Sequence, residues 1–108
     1  MMEQQLDMAV STMIEAVKDS QIYKTYRQEL EEVSKDPELK KQIDEFRTKN
    51  FMMQSRGDTP MEEMERFEYE HSKFREDPRV SRFLAAELAF CRMMQRIYLR
   101  ITEAVDFD

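Results

Sequence analysis

The sequence predicts an all-α fold, on three observations. Glycine occurs once and tryptophan never among 108 residues. Tight β-hairpins draw on glycine, which averages about 7% of residues in globular chains, so strand-and-turn architecture is disfavoured. Glu, Lys, Arg, Gln, Met and Leu, the good helix formers, dominate over Val and Ile. Apolar residues recur at steps of three and four along the whole chain, the period of an amphipathic helix. The architecture expected is a five-helix bundle of one domain, 1–108, with short Asp-Pro-capped junctions and a long apolar C-terminal helix. The helices are expected at about 2–18, 20–35, 37–55, 60–76 and 78–105.

The first helix carries Leu6, Val10, Met13, Ile14 and Val17 on one stripe. Asp19 or Ser20 can accept from free amides and start the second, whose stripe is Ile22, Tyr23, Tyr26, Leu30 and Val33. The third opens at "KDPEL", with Asp36 as N-cap and Pro37 at N1, where a missing N–H costs nothing. Its stripe runs Leu39, Ile43, Phe46, Asn50, Met53. "RGDTP" breaks it: Gly57 suits a left-handed C-terminal residue, and Thr59 is expected to cap a fourth helix with Pro60 at N1. That helix carries Met64, Phe67, His71 and Phe74 on one side and Glu62, Glu63, Glu65, Glu68 and Glu70 on the rest. "EDPRV" repeats the earlier device, with Asp77 as cap and Pro78 at N1. The fifth helix then runs without a breaker for about 42 Å at about 1.5 Å per residue. It is apolar nearly all round, through Val80, Phe83, Leu88, Phe90, Met93, Met94, Ile97, Tyr98 and Ile101.

Charged residues make up 37% of the chain, net charge is -6 and mean hydropathy is -0.78. An acidic balance argues against nucleic-acid binding over the whole surface. The charge is uneven, since residues 79–108 hold 5 basic and 4 acidic side chains. A single cysteine, Cys91, permits no internal disulfide, which suits a reducing, cytoplasmic location. The N-terminus lacks a secretory signal pattern and no apolar run is long enough to cross a membrane.

Catalytic and metal-binding patterns are absent from the sequence: there is one His, one Cys, no Gly-rich phosphate loop and no HExxH or CxxC. Neither an enzyme nor a cofactor is expected. His71 reads as a packed histidine satisfied by a neighbour, the other reading being a ligand or pH switch. Cys91 reads as a small buried side chain.

Three residue sets bear on partners. Asn50 interrupts an apolar seam, where a polar residue can fix register across an interface; in the other reading the helix rolls and Phe51 takes the inward slot. Arg92, Arg96 and Arg100 form a basic stripe at i, i+4, i+8. Either the acidic side of the fourth helix answers it, or a partner's carboxylates or phosphates do. Three phosphate contacts alone bind weakly, so direct nucleic-acid binding is not expected. Met93 and Met94 belong to a methionine-rich set suited to adaptable contacts. Five amphipathic helices in so short a chain offer more apolar surface than one small bundle covers. Part of the fifth helix, or the first two, is therefore expected to bury against another chain, a homodimer being favoured.

The order of "SQIYKTYRQ", "KDPELKKQIDEF", "RGDTP", an acidic amphipathic helix and "DPRVSRFLAAE" opening a long apolar helix resembles the YlbF/YmcA-like family of small bacterial helical proteins. The resemblance covers nearly the whole chain. It implies an all-α fold, association with itself or with related small helical proteins, and no enzymatic activity. Members of the best-described branch act as cofactors of ribonuclease Y in mRNA processing and influence competence, sporulation and biofilm formation. Some members carry C-terminal cysteines linked to iron–sulfur clusters; here the tail "ITEAVDFD" has none. The alternative is a stand-alone homodimer of related fold that binds a different protein or a small ligand, with no link to RNA.

Overall fold

The computed structural model describes residues 3–105. They form five helices and no strand: α1 (Gln4–Asp19), α2 (Gln21–Ser34), α3 (Pro37–Arg56), α4 (Met61–Glu76) and α5 (Pro78–Ala104). The fold is all-α. Residue 2, where the first helix is expected to begin, lies outside the described residues.

Each junction is built from local capping. Ser20 both closes α1 and opens α2: its hydroxyl donates to the Val17 carbonyl at 2.6 Å and accepts from the Tyr23 N–H at 3.1 Å. Of the two candidate caps, Asp19 is the last residue of α1. At α3, Asp36 accepts from the Leu39 N–H at 3.1 Å and Pro37 occupies the first turn. Gly57 ends α3 at φ 71°, the left-handed region where a Cβ is strained.

The start of α4 departs from the expected capping. Pro60, not Thr59, is the N-cap, in an extended conformation, and Met61 is the first helical residue. The Thr59 hydroxyl is engaged elsewhere, donating to the Met53 carbonyl at 2.7 Å. The last carbonyls of a helix have no intrahelical donor, and Thr59 supplies one to α3. The Pro60 carbonyl then accepts from the Glu63 and Met64 N–H groups, each at 3.1 Å.

The described chain divides into two compact units. One comprises Glu29–Leu84 and holds an aromatic core. Val33, Ile43, Val80 and Phe83 are fully enclosed, and Leu39, Phe46 and Phe67 are buried beside them. Phe46 stacks on Phe67 at 5.3 Å between ring centroids and meets Phe74 at 5.5 Å. His71 joins this cluster, its ring 4.4 Å from that of Phe67. Its Nδ1 lies 2.8 Å from the Phe67 carbonyl oxygen. A carbonyl only accepts, so Nδ1 carries the proton in that contact.

Arg79 joins the two Asp-Pro helix starts within this unit. Its Nη2 reaches Asp77 Oδ2 at 2.9 Å, its Nη1 reaches Asp36 Oδ2 at 3.3 Å, and its backbone N–H donates to Asp77 Oδ1 at 2.9 Å. Both carboxylates sit at helix N-termini, where the dipole favours negative charge. The Arg79 side chain, and then its backbone N–H, hold Asp77 below its ordinary carboxylate value.

The other unit comprises the described residues up to Gln28 and those from Ala85 onward. Within it Phe90 meets Tyr23 edge-on at 5.4 Å and stacks on Tyr26 at 5.2 Å. Ala86 is its only buried apolar residue among the described residues, and α1 has none.

Candidate protein-docking face

The second unit presents apolar side chains that its own helices leave open. On α5 the line of Phe90, Met93 and Ile97 is half-buried. A second line, Met94, Tyr98, Ile101 and Val105, advances by 4, 3 and 4 residues and is exposed, Tyr98 to 67%. Such 3–4 spacing makes a narrow seam of the kind helices use to pair. On α1, Leu6, Met13 and Ile14 are exposed as well. A cavity of about 340 Å³ lies between the two helices, with Met13, Ala16 and Val17 on one wall and Met93, Ile97 and Ile101 on the other. Arg100 stands in its lining.

The candidate residues fall into two groups. Arg92, Arg96, Arg100, Met93 and Met94 all belong to this unit. The three arginines are exposed, and none forms an ion pair among the described residues. Of the acids expected to answer them, Glu63 pairs with Arg56 at 2.6 Å and Glu68 with Arg75.

Asn50 lies in the other unit, half-buried, lining a cavity of about 350 Å³ with Met53, Met64 and Phe67. The helix does not roll there, because Phe51 is 71% exposed. Asp36, Pro37, Thr59, Pro60, Asp77 and Pro78 are all at helix junctions of that unit.

Cys91 corrects an expectation. It is exposed, not buried. A helix apolar on two sides can bury only one of them here, and Cys91 lies about 160° around the helix from Met93, at about 100° per residue. No group of three or more His, Cys, Asp and Glu side chains with metal-ligand geometry gathers among the described residues. No helix among them is long and apolar enough to cross a membrane.

Sequence patterning left one feature undecided and missed another. The outward seam of α5 is visible in the sequence as a second 3–4 line beside the first. The Arg79 bridge joins Asp36 to Asp77 and has only the placement of Arg79, two residues after the second cap, as a local sign.

The chain is all-α and carries an open apolar seam on α5. The comparison with protein families is more specific. The model of the family described as "Control of competence regulator ComK, YlbF/YmcA" matches residues 6–106. The chain belongs to this family, and the resemblance carried by the helix junctions is thereby shown. Searches of curated proteins and of solved structures gave no match.

Proposed function

We propose that the chain is a non-enzymatic regulatory adaptor of the cytoplasm that acts by docking helical surfaces. The observation that carries this reading is the exposed seam of Met94, Tyr98, Ile101 and Val105 on α5. Contiguous apolar surface of this kind is costly to leave in water and marks a contact site. Family membership supports a regulatory role, because the family is described as controlling a competence regulator. The partners proposed are a second copy or related small helical proteins, together with ribonuclease Y, which the resemblance brings in.

Two measurements test this. Light scattering at micromolar concentration should give a mass above that of one chain, or rise to it when a related family protein is added. Tagged chain should retain ribonuclease Y from the native host, and a Tyr98→Ala/Ile101→Ala variant should lose it. A clean monomer that retains neither class of partner removes the adaptor reading.

A further inference from the structure

Most arginines of the first unit are answered by a carboxylate, Arg66 excepted among the described residues, whereas those of the α5 stripe are not. Arg47, Arg56, Arg75, Arg79 and Arg82 each meet a carboxylate within Glu29–Leu84. Arg92, Arg96 and Arg100 do not. They are spaced by one helical turn plus about 40°, so they climb α5 at about 6 Å per step and swing toward the inward line. The last of them, Arg100, reaches the cavity lining. The cavity is otherwise uncharged: Met13, Ala16, Val17 and Ser20 face it from α1, and Met93, Ile97 and Ile101 from α5. Asp7, Glu15 and Asp19 of α1 are on other sides of that helix, more than about 100° from its cavity-facing line. The groove thus has an apolar floor, with Ala16 and Ser20 as small gaps in the α1 wall and three arginines along one rim, which Glu103 borders at its C-terminal end.

We infer that the groove between α1 and α5 receives an acidic amphipathic helix of a partner protein. Its apolar stripe seats on Met13, Val17, Met93, Ile97 and Ile101. Its carboxylates, spaced at i, i+4, i+8, meet Arg92, Arg96 and Arg100. Three exposed like charges in a row destabilise an isolated helix, and a matching row of carboxylates reverses the sign of that contribution. Ala16 and Ser20 let the incoming backbone approach closely. Charge complementarity selects an acidic helix over a neutral or basic one. This inference rests on the helical-contact reading and adds to it the chemistry of the partner.

The test uses two fluorescein-labelled synthetic helical peptides with the same leucine stripe. One carries Glu along one flank at every fourth position, the other Lys at the same positions. Binding to the full chain is read by fluorescence anisotropy at low and high salt. The Glu peptide should bind about tenfold more tightly than the Lys peptide, as three exposed ion pairs allow, and the difference should shrink with salt. An R92E/R96E/R100E variant should invert the preference; circular dichroism checks its fold, and R96Q/R100Q should abolish the preference without reversing charge. Equal binding of the two peptides, or a preference that survives charge reversal, overturns the acidic-helix inference and leaves the helical-contact reading standing. Failure of both peptides to bind a chain that sediments as a monomer overturns the acidic-helix inference and leaves the helical-contact reading to the light-scattering and ribonuclease Y measurements. A dimer that excludes both peptides, and admits neither when Met94→Ala/Tyr98→Ala, outside the groove lining, makes it a monomer, overturns the acidic-helix inference alone.

Discussion

Within Glu29–Leu84, Phe83, Ile43, Val33 and Val80 are sealed from water, and five arginines meet acids. In the unit built from α1, the start of α2 and most of α5, Leu6, Ile14, Met94, Tyr98, Ile101 and Val105 are open, and three arginines stand without an ion pair among the described residues. Both units are made of amphipathic helices of similar composition, so helix propensity does not separate them. The difference lies in how much of each helix finds a partner inside the chain. The first unit encloses a core and pairs five of its six arginines, though Phe51, Met61 and Tyr69 of its α3 and α4 stay exposed; the second encloses almost no apolar side chain and pairs none of Arg92, Arg96 and Arg100 among the described residues. An open apolar seam beside unanswered cations is the surface on which the proposed docking rests.

The comparison breaks most visibly in the core of the first unit. Phe83 is fully enclosed, and Phe83→Ala should cost about 3–5 kcal/mol, through lost transfer energy and an unfilled cavity. Urea unfolding followed by circular dichroism measures it. A loss below about 1 kcal/mol would mean that this unit does not carry the stability assigned to it.

Asp36→Ala comes next. It removes the acceptor of the Leu39 N–H and one of the two carboxylates on Arg79. Loss of a cap costs about 0.5–2 kcal/mol, and the half-exposed ion pair adds little. The same unfolding experiment should show a smaller shift than Phe83→Ala and unchanged partner binding.

The Arg79 bridge also sets a pH dependence. Asp77 is held below its ordinary value of 3.8 by the Arg79 side chain and backbone N–H. A carboxylate depressed in the folded state contributes stability that is fully present above its unfolded value. That contribution is lost as pH falls through the lower, folded value. Stability should therefore decline from about pH 4 downward, and Asp77→Asn should flatten that part of the profile while leaving the slope above about pH 5 unchanged. An identical acid limb in the variant would show that the bridge contributes nothing.

These cases also mark what the sequence makes legible. Caps such as Ser20 and Asp36 act across three residues, the range over which a pattern can be read. The all-α class follows from residue types and periodicity summed over the chain, and the family from the order of those junctions. The Thr59 hydroxyl was harder, because the carbonyl it satisfies lies six residues back on α3 and competes with the cap role of the same side chain. The Arg79 bridge spans 43 residues to Asp36, a separation only the folded chain closes. The open side of α5 was ambiguous for a different reason. Two apolar lines on one helix are equivalent to a period analysis, and only packing decides that Phe90 and Met93 turn inward while Cys91 and Tyr98 stay out.

The smallest effect on stability is the one that sharpens the comparison most. Tyr98 is 67% exposed. Replacing it with Ala removes a ring that the chain itself scarcely covers, so the unfolding free energy should move by less than about 0.5 kcal/mol, as for ordinary surface substitutions. If the seam is a docking site, the same change removes a large aromatic anchor from an interface, and such anchors carry a disproportionate share of binding energy, about 2 kcal/mol or more each. Partner affinity should then fall about thirtyfold, measured by titration against whichever chain co-purifies in the light-scattering experiment. Phe83→Ala gives the opposite pairing when studied well below its melting point, with a large loss of stability and little change in affinity. A Tyr98→Ala variant that loses stability but not affinity would place Tyr98 in the chain's own core and take the seam out of the second unit's surface.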